Sequence, residues 1–385
     1  MSVGSDNAIT TSALREANDK SQVNPDLELL QYEVFWRDHQ VWLQSKGYML
    51  RPRYHPNWVS SSLSHDPERC YPRAEDAVIA DSDCILDAQR IATGELVILK
   101  KVSKTYHPDE ALIQMYLNFG ALATHPHNHC APLHEVLQSP YDEDTMLLVL
   151  PLYRSFDSPP FKTVGEIVEF FRQIFEGLKF MHDCGVAHRD CGYLNIMMDG
   201  TNLYPEGFHP MAQMRHPSWN QTLAKHYTRT RAPVKYYFID FGISCMFDPG
   251  DPDPREWPIR AGDKSAPEIR DDLEGPINPF PTDVYYIGNL IRTEIGEDYR
   301  GIDFMDELVA DMVQADPMKR PTMDVVVKRF EEIRRSLSWW KLRQRLRKPE
   351  EDQLWLLTFL RDVPHFFRVI RDITMLRSAV PMYKQ

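Results

Sequence analysis

Residues 188–195 read HRDCGYLN and residues 236–242 read YYFIDFG, so Asp190 is followed at close spacing by Asn195 and later by Asp240, at the end of an apolar run. Phosphoryl transfer needs a carboxylate beside the attacking hydroxyl, to orient it and take its proton, and oxygen ligands that hold magnesium against the phosphates. Asp190 suits the first need, and Asn195 with Asp240 suits the second. One carboxylate alone would say little; three oxygen-bearing side chains in this order suit a metal–nucleotide site. The competing reading is that the same residues serve only as architecture.

HRDCGYLN resembles the HRDxxxxN catalytic loop of the protein kinases, and Asp240, Phe241 and Gly242 resemble their metal-binding DFG motif. The resemblance implies roles for residues elsewhere in the chain. Lys100, in VILKKV, takes the place of the small-lobe lysine that holds the phosphates, and Glu110, in EALIQMYL, that of its helical partner. Leu150 and Leu152, flanking Pro151, would line the hinge beside adenine. His188 would pack behind the loop, and Arg189 could pair with a phosphate on residues 240–268, which hold Ser244 and Ser265 but no Thr. Glu268 in SAPE, Asp283 in TDVYYIGNLI and Arg320 in DPMKRPT resemble structural residues of the large lobe, the arginine binding the glutamate.

The resemblance therefore implies a two-lobed α+β protein-kinase-like fold with a small β-rich N-lobe and a larger helical C-lobe. It implies ATP and Mg2+ as cofactors and transfer to a protein hydroxyl, Ser or Thr ahead of Tyr. More narrowly, GYMLRPRYHPNW, NHCAPLHEVL, NIMMDG, GFHP and PFPTDVYYIGN look like an expanded group of kinase-like proteins from mushroom-forming fungi, over roughly residues 35–340.

Three departures keep other readings open. Residues 71–94 contain no GxGxxG; their only glycine is Gly94. Backbone amides approach phosphate closely only where side chains are absent, so the phosphates are held weakly or by other means. Gly192 stands where Ser/Thr kinases carry a lysine, and the tyrosine-kinase strings AAR and RAA are missing as well. Residues 196–239 form an interval of 44 residues, far longer than the kinase pattern has, so about residues 200–235 should be an insert. A pseudokinase acting as an interaction module and a small-molecule kinase on the same fold remain alternatives.

The elements that must position these residues follow from periodicity. CILDAQRIATGELVILKKV alternates about a turn at Thr93, Gly94 and Glu95, which predicts a hairpin whose second strand is 96–102. On that strand alternation points Lys100, rather than Lys101, inward. Residues 146–153 predict a buried strand ending at Pro151, and residues 109–119 a helix with acidic residues in its first turn. Ile167, Phe170, Phe171, Ile174, Leu178 and Met181 recur at helical spacing up to a Gly185 C-cap, opening a mostly helical half. The domain reading is a disordered tail at 1–26, an extension at 27–70 with a loose helix and then an extended segment, a kinase-like domain at 71–340 (N-lobe 71–153, C-lobe 154–340) and a helical tail at 341–385.

Composition narrows the remaining classes. Lys plus Arg number 44 against 56 Asp plus Glu, a net charge of −12, which disfavours nucleic acid as a partner unless positive charge is locally concentrated. Two segments concentrate it. Residues 208–235 hold Arg215, Lys225, Arg229, Arg231 and Lys235 and no acidic residue, which reads as a mobile surface loop or as an anion-attracting flap. Residues 336–348, SLSWWKLRQRLRK, put Trp339, Leu342 and Leu346 at helical spacing among cations, which suits an anionic membrane surface or a partner's groove, or else C-lobe packing by a tryptophan. Six separated cysteines without a CxxC pair read as reduced thiols, Cys191 being a reactive candidate or a packed one. The N-terminal residues lack an apolar signal core, so the expectation is an intracellular protein, cytoplasmic or nuclear, with an unknown protein substrate or partner.

Overall fold

In LVILKKVS, Val97 and Leu99 turn to one side of a strand while Lys100 and Val102 keep to the other, and this alternation builds two different small cores. The computed structural model describes residues 28–61, 74–80, 82–220, 222–258, 262–269, 275–353 and 355–383. The expected tail at 1–26, Cys70 and part of the segment 240–268 lie wholly or partly outside them.

The N-lobe is a five-stranded antiparallel sheet in the order β1-β2-β3-β5-β4, made of Tyr48–Met49, Ile85–Arg90, Leu96–Ser103, Thr145–Pro151 and Glu135–Gln138. Helix α1, Val34–Ser45, lays Trp36 and Leu43 over one face, against Leu86, Val97, Leu99, Leu147 and Val149. Helix α2, Glu110–Leu117, covers the other face, where Ala111 meets Val102, Met146 and Leu148. The loose helix expected within residues 27–70 is α1, and the segment after it supplies β1 as the edge strand beside β2, while the next residues turn inward, Arg53 being fully buried and bidentate on Glu33 at 2.8 and 2.7 Å. A buried guanidinium demands such a partner, which makes this pair a fixed point of the lobe.

After strand β6, Arg154–Ser155, the C-lobe is assembled around helix α3, Val164–Asp183. Thr163 caps it by accepting the Glu166 N–H at 3.2 Å, and Glu166 accepts the Lys162 N–H at 2.8 Å. Gly185 closes it at φ 74°, where a Cβ would stand 2.3 Å from the Phe247 carbonyl, so only glycine serves. Short strand β7, Val186–Ala187, leads into HRDCGYLN, and strands β8, Ile196–Met198, and β9, Tyr236–Phe238, pair antiparallel before β10, Cys245–Met246, returns to β7. Helices α4 (Phe280–Leu290), α5 (Asp306–Met312) and α6 (Met323–Ser336) complete the lobe. Phe170, Phe171, Ile174, Phe175, Leu178 and Met181 fill its core with Val284, Ile287, Leu308 and Phe330. The fold is thus two-lobed and mixed α+β.

Residues 199–235 are the loop of the β8–β9 hairpin, and they are packed. Arg154, fully buried, donates to the Gln213 carbonyl at 2.7 Å and lies 4.2 Å over the Tyr204 ring. Arg229 is also buried and donates to the carbonyls of Phe156 and Pro159 at 2.6 and 2.7 Å, while Thr230 caps Glu166 at 2.9 Å. Of the five cations in 208–235, Arg229 faces carbonyls and Lys225 pairs with Glu206 at 3.3 Å.

The basic segment 336–348 differs from the continuous amphipathic helix its spacing suggests. After α6 ends at Ser336, the helical part is Trp339–Arg343, helix α7. Its cations are largely spent within the protein, Arg345 on Glu351 and Asp362 at 2.6 and 2.7 Å and Lys348 on Asp298. Leu346 is buried, whereas Trp339 and Trp340 are 42% and 72% exposed, so neither tryptophan packs into the C-lobe. Helix α8, Trp355–Thr374, follows.

Candidate active site

Lys100 leaves β3 on the face that α2 covers, and its Nζ donates to Glu110 Oε1 at 2.5 Å and to Asp240 Oδ1 at 2.8 Å. Three charges from a strand, a helix and a distant loop meet here. Burial pushes the Glu110 carboxyl above its usual range, with Lys100 opposing it. Burial acts to raise Asp240 too, but the Lys100 ammonium and the Gly242 N–H at 3.2 Å bring it below that range. Burial alone would lower Lys100; Asp240 and Glu110 hold it above its ordinary value. Asp240 sits at φ 63°, a left-handed conformation in which an Asp is tolerated and most residues are strained.

Asp190 is bonded from two sides. Asn195 Nδ2 donates to its backbone carbonyl and to its Oδ2, both at 2.8 Å, and the Asp263 N–H reaches Oδ1 at 3.2 Å. Burial raises the Asp190 carboxyl above its usual value, against the pull of His188 and of that N–H. The loop carrying it hangs on Asp283, fully buried on α4, which accepts the N–H groups of His188 and Arg189 at 2.8 and 2.7 Å. His188 Nε2 donates to the Ile239 carbonyl at 3.0 Å, tying the two motifs together. Arg189, read as structural or as a partner for a phosphate, donates to the carbonyls of Ile243 and Trp257. Further down the lobe Arg320 grips Glu268 with two bonds of 2.6 and 2.7 Å.

No protein-family model matches the chain. It is 30% identical over 119 residues to the mitogen-activated protein kinase sty1 of Schizosaccharomyces pombe, a stretch covering 30% of this chain and 34% of that protein. It is 29% identical over 119 residues to the mitogen-activated protein kinase Hog1 of Zymoseptoria tritici, covering 30% and 33%. Against the NUAK family SNF1-like kinase 2 of Rattus norvegicus it is 27% identical over 136 residues, covering 31% and 21%. The chain thus spans between 21% and 34% of the length of these relatives. With the two-lobed fold, these likenesses set its relationship. The chain is protein-kinase-like.

In this protein-kinase-like chain the oxygen donors toward the cleft are few. Asn195 spends its amide N–H on Asp190, leaving Oδ1 as the atom available to a cation, and Asp240 spends Oδ1 on Lys100, leaving Oδ2. Among the described residues no cluster of three or more His, Cys, Asp or Glu is suited to hold a metal. Magnesium needs no such cage, since it keeps several waters and takes one or two protein oxygens plus substrate phosphates. The donor set therefore fits a hard cation that arrives with a nucleotide. Leu150 is partly buried against the N-lobe cluster of Val102 and Leu148, and Leu152 against the C-lobe core, so both stand where the lobes join. Cys191 is fully buried, its thiol pushed up by burial, which makes it a packed rather than a reactive cysteine.

Where kinases carry a glycine-rich turn, β1 and β2 are joined by residues 50–84. Arg51 on this connection bonds Asp87 of β2 at 3.0 Å, and Glu75 accepts from His209 Nε2 at 3.2 Å. His209 belongs to the β8–β9 loop, so that loop reaches across to the N-lobe. Sequence reasoning singled out neither Glu75 nor His107, whose Nδ1 donates to the Gly242 carbonyl at 2.7 Å. Contacts between residues so far apart in the chain leave no local periodic signal.

Proposed function

We propose that the protein is a phosphotransferase that passes the terminal phosphoryl group of ATP, with Mg2+, to a protein hydroxyl, Ser or Thr ahead of Tyr. The observation that carries this reading is the cluster of Lys100, Glu110 and Asp240, with Asp190 held apart from it by Asn195. A scaffold has no physical need of an acceptor-side carboxylate. Lys100, positioned by Glu110, would hold phosphates; Asn195 and Asp240 would hold the cation; Leu150 and Leu152 would border adenine. Bound magnesium would neutralise charge developing on the phosphates. Asp190 would orient the acceptor hydroxyl and take its proton, and its raised pKa strengthens it as a base. His188, Arg189, Asp283, Glu268 and Arg320 would be structural.

One observation favours a second reading, an interaction module without catalysis: no glycine-rich turn lies between β1 and β2 to cradle phosphates. A thermal-shift titration with ATP and magnesium, followed by a transfer assay on a panel of proteins and small-molecule alcohols, separates the two. The enzyme reading expects a shift, abolished or weakened by Asp240→Asn. Asp190→Asn should keep the shift and lose transfer. A shift without transfer favours the module, and no shift at millimolar nucleotide overturns the enzyme.

A further inference from the structure

The last turn of α3, the chain leaving β10, the start of α4 and the start of α6 meet around a groove of about 350 Å³ on the C-lobe, at the small end of ligand sites. Phe247, Phe280, Val284 and Met323 make its apolar wall, the rings of Phe247 and Phe280 lying 5.8 Å apart. Pro252, Pro254, Pro281 and Pro321 also line it, and the fixed φ of proline stiffens the backbone on both sides. A stiff groove gives up little freedom when it is filled.

Charge identifies the occupant. Four carboxylates border the groove, those of Asp183, Asp248, Asp251 and Asp324. The cations in its lining are already engaged: Lys179 lies between Asp183 and Asp324, at 2.6 and 2.9 Å, and Arg320 is spent on Glu268. His182 is bonded to Asp283 at 3.0 Å. One lysine thus serves two carboxylates. Asp248 and Asp251 are exposed and pair with no cation among the described residues; Asp251 Oδ1 takes the Asp253 N–H at 3.0 Å, which leaves Oδ2.

The groove is therefore an apolar slot under an anionic rim, and its carboxylates are not gathered as a metal-holding cluster. An arginine side chain answers both features. Its guanidinium binds carboxylates and stacks on aromatic rings, while its stem packs on apolar surface. Residues 1–27 of this chain hold four acidic residues against Arg15 and Lys20, so they do not suit the rim.

We propose that this groove is a docking site for an arginine-rich segment of a partner protein, with apolar residues set among the arginines. The inference is independent of catalysis, since Lys100, Asp190 and Asp240 take no part in the groove. The test is fluorescence anisotropy of the full chain with a labelled peptide of alternating arginine and leucine. The parent should bind it, and Asp248→Asn with Asp251→Asn should weaken binding about ten-fold. Thr322 is exposed at the edge of the groove and makes no side-chain cap bond to α6, so Thr322→Trp should fill the slot and abolish binding with an unchanged thermal midpoint. Glu143→Gln with Asp306→Asn removes the same charge from exposed positions elsewhere and should leave binding within about two-fold of the parent.

Absence of binding overturns the proposal, as does undiminished binding in either groove variant. An equal loss in the control pair would also overturn it, by reducing the effect to general attraction toward an acidic protein. Spermine carries charge without an apolar part; if it competes as well as unlabelled peptide, the apolar wall goes unread and the proposal fails. A dimer of the protein alone that Thr322→Trp disperses would assign the groove to a second copy instead.

Discussion

The Asp283 carboxylate accepts the backbone N–H of Arg189 at 2.7 Å, and Arg189 is held at φ 68°, a conformation that non-glycine residues rarely adopt. Strain of this kind persists only where the surroundings enforce it. Asp283, whose other oxygen takes the His188 N–H, supplies that enforcement from within the core. Asp283→Ala should lower the unfolding free energy by about 3 kcal/mol or more, since two buried N–H groups lose a charged acceptor. Urea denaturation measures this; an unchanged midpoint would mean the loop is held by something else.

Lys100→Met removes the cation between two carboxylates. Glu110, already raised by burial, should then rise further and fold protonated at mildly acidic pH. A folded pKa above the unfolded value means that stability is lost as pH rises through it. The variant should therefore be more destabilised, relative to the parent, at pH 8 than at pH 5. Thermal melts at both values test this, and equal losses would count against the coupling.

Glu268 and Arg320 form a bidentate pair with the Arg320 side chain wholly buried. Burial acts to raise Glu268, but Arg320 and Thr282 outweigh it and the carboxyl is lowered from 4.5. The stability it contributes is present above that value and lost as pH falls through the lower folded one. Glu268→Ala should cost about 3–5 kcal/mol at pH 7, and less below pH 4. Chemical denaturation at the two pH values gives both figures.

His129 is buried, donates from Nδ1 to the Tyr236 carbonyl at 2.8 Å, and has its pKa lowered to about 3, chiefly by burial. Between about 3 and its ordinary 6.5 the unfolded chain binds the extra proton, so stability falls as pH drops through that window. His129→Gln should flatten that part of the stability–pH curve. A slope unchanged in the variant would assign it to other groups.

The meeting of Lys100 with Glu110 is implied by the resemblance, while the strand that points Lys100 inward and the helix that begins near Glu110 are legible because each lies in a short window of sequence. HRDCGYLN and the segment ending in Gly242 are readable for the same reason: spacing within a loop is local. The edge strand Tyr48–Met49 is too short for any period, and its partner Arg90 lies across a long connection. The packing of residues 199–235 also escaped, because the burial of Arg154 and Arg229 depends on carbonyls and rings supplied by distant segments. Helix α8 falls within the helical tail expected at 341–385, and its outward apolar stripe reverses the usual rule that such a stripe faces the core.

The bond from His209 to Glu75 ties the lobes through the β8–β9 loop, apart from the Lys100–Asp240 and His107–Gly242 bonds that cross the cleft. His209 Nδ1 accepts the Ala212 N–H at 3.0 Å, so Nε2 carries the hydrogen given to the Glu75 carboxylate. Bodies pinned at one point can swing, tilt and twist, whereas bodies pinned at several separated points are held like a latched lid. The cleft therefore cannot gape without first lengthening or breaking one of these bonds.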